Sequence, residues 1–134
     1  VGVRSDRGIN AALWVVQIVL AAIFAGAGFA KAATPLPELA QSLPYTADLP
    51  GVLVRFIGVS EAAAALGLIL PALSRVAPVL TPAAAIGLNI VMWLATVFHL
   101  FRGEWSAMPM TIVLGTLAAF VAWGRLKRVP IASR

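Results

Sequence analysis

Cysteine is absent from this 134-residue chain, and histidine and tyrosine occur once each. Without a thiol the chain can form no disulfide, thiolate metal site or iron–sulfur cluster, and can do no thiol–disulfide chemistry of its own. One imidazole and five carboxylates leave too little for a dedicated metal site. Charge is also scarce. Asp, Glu, Lys and Arg make up 11% of the residues, against about 25% in an average soluble domain. Ten basic and five acidic side chains cannot coat a soluble globule of this size, which excludes an ordinary water-soluble enzyme as well as a disordered or collagen-like chain. What is present in excess is apolar: 61% of the residues are hydrophobic and the mean hydropathy is +0.97. The composition is that of a membrane protein. The net charge of +5 does not indicate nucleic acid, because the cations sit at the ends of apolar stretches instead of forming one face.

A transmembrane helix needs roughly 20 apolar residues, and four segments supply them: about 11–30, 52–70, 82–101 and 107–123. Asn10 is positioned to cap the first. Its length argues against a cleaved signal peptide. Pro71 is expected to close the second. Thr81-Pro82 reads as a cap with proline at the first helical position of the third, and Pro109 falls in the first turn of the fourth. Short connections between the last three spans predict an all-α, up-down four-helix bundle in one domain. The longer first loop, 31–51, carries four prolines, with Leu36, Leu39 and Leu43 at helical spacing. It reads either as an interfacial helix lying on the bundle or as a plain proline-rich loop.

Orientation follows from Lys and Arg. Arg4, Arg7, Arg75, Arg125, Lys127, Arg128 and Arg134 fall on one side, and Lys31, Arg55 and Arg102 on the other. The positive-inside rule then places both termini in the cytoplasm. Trp14 and Trp123 fall at the inner interface and Trp105 and Tyr45 at the outer one. Trp93, mid-span, is expected to face lipid or a ligand. Small residues mark where helices can approach closely in lipid: Ala22, Gly26 and Ala30; Gly58 and Ala62; Thr111, Gly115, Ala118 and Ala122. In so alanine-rich a chain, some of these matches arise by chance.

Ionisable groups within a span are the most informative feature. Glu61 lies nine residues from either end of its span, near the bilayer midplane. An ionised carboxylate there is costly by about 2.5 kcal/mol or more, so Glu61 is expected to point inward and find a partner. It is either a proton-handling or ligand-binding carboxyl or a neutral acid holding helices together. Asn89, Met92, Thr96 and His99 form one stripe on the third span, and Gln17, Ala21, Phe24, Gly28 and Lys31 another on the first. Stripes facing inward would surround Glu61, with Asn89, Thr96 or, through a water, His99 as its partners. Arg55 lies about 120° around the helix from Glu61 and need not pair with it. Lys31, Arg55, His99, Arg102 and Glu104 all belong to the outer end, a polar funnel with Glu61 at its base. Lys31, Arg55 and Arg102 could equally snorkel to headgroups, and His99 could be an ordinary interface histidine. No catalytic residue and no metal ligand set is identified.

Several of these stretches carry a resemblance. Gly28-Phe29-Ala30-Lys31, Arg55-Phe56-Ile57-Gly58-Val59-Ser60-Glu61, Leu66-Gly67-Leu68-Ile69-Leu70-Pro71, His99-Leu100-Phe101-Arg102-Gly103-Glu104 and Gly124-Arg125 together make the chain similar to the DoxX-like family of small four-helix membrane proteins, over roughly 11–125. Arg-x-x-Gly-x-x-Glu in the second span is the best of these matches. The resemblance implies the architecture and a bacterial cytoplasmic membrane location. Its redox colour comes from the family's namesake, a thiosulfate:quinone oxidoreductase subunit, and from a related member linked to a complex with superoxide dismutase and a sulfurtransferase. Without cysteine, direct persulfide chemistry is unavailable, which leaves open a quinone site or a scaffolding role. The readings are then a non-catalytic or quinone-associated subunit of a membrane oxidoreductase system, a small-molecule or lipid binder or transporter using a cavity around Glu61, and a structural anchor. Besides the lipid bilayer, the partners these allow are an oxidoreductase subunit and a second copy of the chain.

Overall fold

A computed structural model describes residues 2–134, with side chains described from Ser5 onward, so Arg4 of the basic count lies outside the described side chains. The described chain is all-helical. It comprises α1 (Gly2–Ala33), α2 (Leu36–Ser42), a 3-10 turn (Pro44–Asp48), α3 (Gly51–Ser74), α4 (Leu80–Phe101) and α5 (Met108–Trp123), which runs on into a π-helical turn (Gly124–Arg128). Four helices are long and apolar enough to cross a bilayer.

The boundaries differ from expectation for identifiable reasons. Asn10 does not cap α1, which already begins at Gly2. No proline interrupts residues 2–10, and the Asn10 amide is turned instead to the Arg125 guanidinium at 2.7 Å. Pro71 does not close α3, which continues to Ser74 and ends on Arg75 in the left-handed conformation, φ 61°. Proline has no N–H to offer the carbonyl four residues back. The Gly67 carbonyl thus left free accepts the Thr81 hydroxyl at 2.9 Å. Thr81 is therefore not the cap of α4; it sits one residue inside a helix that starts at Leu80. The first loop is partly helical, with Leu39 of α2 buried.

α1 packs most extensively on α3, and α4 on α5, with α3 against α4 joining the pairs. Leu20, Phe24, Leu68, Leu88, Met92, Ala118 and Val121 meet in one core drawn from all four long helices. Large apolar side chains also cover the outside: Phe29, Val52 and Phe101 are 72%, 84% and 85% exposed, as suits helices solvated by lipid. In that setting close packing replaces the hydrophobic effect as the drive for association. The close approach is not on Ala22, Gly26 and Ala30, since Ala22 and Gly26 face outward. It is at Gly28 and Gly58. A Cβ on Gly28 would lie 2.6 Å from the Gly58 carbonyl oxygen and the Ala62 amide nitrogen, so only glycine lets α1 and α3 meet this tightly. Thr111, Gly115, Ala118 and Ala122 are buried on one face of α5, as their spacing predicts.

Candidate functional site

The tight α1–α3 contact sets the position of Glu61. Gly28 brings the last turns of α1 against the first half of α3, and one turn beyond Gly28 stands Lys31. Its Nζ donates to Glu61 Oε2 at 2.8 Å, and the two side chains are only 9% and 3% exposed. The partner of Glu61 is therefore Lys31, not Asn89, Thr96 or His99. The stripe of α4 faces inward, but toward α5: Asn89 donates to the Gly115 carbonyl at 2.8 Å, and Thr96 hydrogen-bonds the Thr111 hydroxyl at 2.7 Å. An amide or hydroxyl on a helix buried between two neighbours bonds to the nearer one, and α4 lies closest to α5.

Arg55 does not pair with Glu61 either. Its Nη1 donates to the carbonyls of Lys31 at 3.0 Å and Thr34 at 2.6 Å. The last carbonyls of a helix have no intrahelical partner, and a cation there also meets the negative end of the helix dipole. Arg55 thus caps α1 and steadies the backbone that carries Lys31.

Above the pair lies Tyr45, from the 3-10 turn. Burial pushes its phenol above the ordinary range; Lys31 opposes that rise and Glu61 adds to it, so both lie within electrostatic reach. The Tyr45 ring meets the His99 ring edge-on, with centroids 5.3 Å apart. His99 Nδ1 lies 3.2 Å from Glu104 Oε1, which puts a proton on Nδ1 whenever Glu104 is ionised. Glu104 also accepts from Arg102 Nε at 2.6 Å, and Arg102 Nη1 donates to Asp48 Oδ2 at 2.6 Å. The hydrogen bond from Arg102, then that from His99, holds the Glu104 carboxyl below its ordinary range. Asp48, then Glu104, raises Arg102 further still. Polar and ionisable groups thus follow one another from the buried Lys31–Glu61 pair through Tyr45 and His99 to the exposed carboxylates.

Of the residues singled out in the sequence, Lys31 and Glu61 pair directly, His99 joins them only through Tyr45, and Arg55 braces the backbone at Lys31. Asn89 and Thr96 belong to the α4–α5 contact. Trp93 is 42% exposed on the outside of α4, its indole edge against Gly115. Tyr45 and Asp48 were missed as members of the cluster. Nothing in their local pattern separates them from surface-loop residues, because the fold of that loop brings them over the spans.

The chain matches the family model described as the DoxX-like family over residues 15–121, which takes in α1 from Val15 onward and nearly all of α5. The chain belongs to the DoxX-like family. With four helices able to span a bilayer, this DoxX-like protein is an integral membrane protein. No curated protein and no solved structure gives a significant match.

Proposed function

We propose that this DoxX-like protein is a quinone-associated subunit of a membrane oxidoreductase system, and that its outer cluster handles protons. The observation that carries the reading is the Lys31–Glu61 pair, buried within the spans yet followed by Tyr45, His99 and Glu104 out to the surface. Buried ionisable groups in membrane proteins commonly mark ion and proton paths. Reducing a quinone needs a proton for each electron. A chain without cysteine has no thiol to supply the electrons, and the reading assigns them to a partner subunit. The chain's own residues suit the binding and proton steps. Lys31, Tyr45 and His99 are donors fitted to quinone carbonyls, and Glu61 and Glu104 are carboxylates able to pass protons on. The proposal includes an up-down bundle in one domain, in a bacterial cytoplasmic membrane, with both termini cytoplasmic. Its support is the excess of basic residues beside the termini and the bonds that join the end of α1 to the start of α3.

The test is extraction in mild detergent followed by native mass spectrometry and titration with decylubiquinone, read by tryptophan fluorescence. The wild type should retain a partner subunit and bind the quinone analogue, and Glu61→Gln should fold but lose the quinone. Equal quinone responses in wild type and Glu61→Gln, with no partner retained, would overturn the reading.

One observation favours a second reading. Lys31 and Glu61 satisfy each other at 2.8 Å, as a pair that only sets helix register would. In that structural-anchor reading, Lys31→Met combined with Glu61→Leu keeps both the fold and every partner interaction.

A further inference from the structure

The opposite end of the bundle holds a charge of a different kind. Arg125, in the π-helical turn after α5, is 3% exposed. Its Nε donates to Gln17 Oε1 and its Nη1 to Asn10 Oδ1, both at 2.7 Å, and Nη1 also reaches the Val129 carbonyl at 3.1 Å. The guanidinium lies over the Trp14 ring, 5.4 Å from its centroid. Every one of these partners is neutral. Among the described residues no carboxylate bonds to Arg125, and its Nη2 is buried without any hydrogen-bond partner. A buried cation with no counter-charge is costly, and a guanidinium nitrogen with nothing to bond compounds the cost.

Arg125 lines two open grooves, of about 330 Å³ and about 360 Å³. Both also touch Pro130 and Ile131 of the C-terminal tail. Arg7 lines the first as well, as does Asp6, the one carboxylate there, whose Oδ1 is itself buried without a hydrogen-bond partner, 3.3 Å from Arg128. Arg7 and Arg125 therefore face one carboxylate in the first, and its lining carries a net positive charge. The depth is that of Trp14 and Trp123, aromatic residues of the kind that gather at headgroup level.

We propose that Arg125 is the floor of a phosphate-binding site, filled by the headgroup phosphate of a membrane phospholipid or by free phosphate. The planar fork of arginine suits a phosphate oxyanion bidentately, and basic pockets between spanning helices hold lipid headgroups by the same chemistry. The Val129 carbonyl, the longest of the Arg125 hydrogen bonds, is the partner that a stronger anionic acceptor displaces. Its release opens the tail over Arg125, so that Nη1 and the now enclosed, unbonded Nη2 both meet the phosphate.

The experiment uses the full chain, delipidated in a neutral detergent, and has two arms. In one, phosphatidylglycerol is added and lipid retention is read by native mass spectrometry. In the other, inorganic phosphate is titrated and read by fluorescence, with Trp14→Phe assigning the signal. The expected result is one tightly retained phospholipid or a saturable phosphate response; the responding arm identifies the source. Arg125→Gln should weaken that binding by about ten-fold or more, the loss of one charge-assisted hydrogen bond. Arg7→Glu, at an exposed position with no packing role, should weaken it several-fold even if Arg125→Gln fails to fold. The proposal is overturned if the wild type responds in neither arm. It is equally overturned if Arg7→Glu and a folded Arg125→Gln both bind as the wild type does, or if Arg125→Gln does not fold and Arg7→Glu leaves binding unchanged.

Discussion

Among the described residues, the two ends of the bundle bury one long cation each, and they do so by opposite means. At the Lys31 end, the ammonium meets a carboxylate at 2.8 Å, and further carboxylates continue the network outward through His99 and Arg102. At the Arg125 end, two side-chain amides, a backbone carbonyl and an indole face hold the guanidinium. The difference shows that the bundle can hold an ion either by neutralising it or by solvating it with fixed dipoles. A neutralised pair is self-contained, so removing one member orphans the other. A solvated ion leaves nothing charged behind when it goes, and remains open to an anion.

The largest effect should come from breaking the neutralised pair. Lys31→Ala leaves Glu61 as an uncompensated buried carboxylate and should cost about 3–5 kcal/mol, whereas replacing both residues by apolar ones should recover most of it. Denaturant unfolding in detergent measures both variants. If the single variant unfolds like the wild type, the pair is not what joins α1 to α3.

Arg125→Gln should cost less, about 1–3 kcal/mol, the range for lost hydrogen bonds to a charged group. The same unfolding assay ranks it against Lys31→Ala, and the reverse order would erase the distinction between the two ends.

Titration should separate the ends further. Hydrogen bonds from Arg102 and His99 lower Glu104, so its contribution to stability is complete above the ordinary carboxylate value of about 4.3 and disappears as the pH falls through the still lower folded value. Tyr45 is raised, chiefly by burial. Its contribution is complete below about pH 10 and is lost as the pH rises through the higher folded value. Amide-exchange protection, corrected for the intrinsic rate at each pH, should therefore fall at Arg102–Ser106 in acid and around Tyr45 at strongly alkaline pH. Protection around Arg125 should change at neither extreme through these two groups.

The smallest effect belongs to Asp48→Asn. Its carboxylate is 60% exposed, and a surface ion pair contributes about 0–1 kcal/mol. Thermal melting should barely move, while the loop bearing Tyr45 should become more accessible to protease if Asp48–Arg102 is what fastens it.

Much of this was legible along the chain. The four spans, the buried face of α5 and the inward stripe of α4 follow from hydropathy and helical period, because lipid admits only helices with an apolar exterior. Glu61, Lys31 and His99 stood out because each is an ionisable group in or at the end of an apolar run. Their pairing was not legible. Depth alone ranked Asn89, Thr96 and His99 as partners for Glu61, whereas the contact is made by the helix that approaches most closely, and that approach depends on Gly28 meeting Gly58. The alanine-rich stripe of α1 misled for the same reason: small size permits close approach without saying which face makes it. Arg125 read as one more cytoplasmic cation, although Gln17, a lone amide deep in the first span, called for a partner of its own.

Composition and periodicity alone thus determined an all-helical membrane protein with four spans and buried ionisable groups, because the cost of exposing backbone or charge to lipid is the same whatever the fold. Only the tertiary structure decided which cation meets Glu61, why the helix survives Pro71 and how Arg125 is left without an anion. Each of those depends on a contact of a few ångströms between helices, and neither hydropathy nor spacing encodes which two faces will touch.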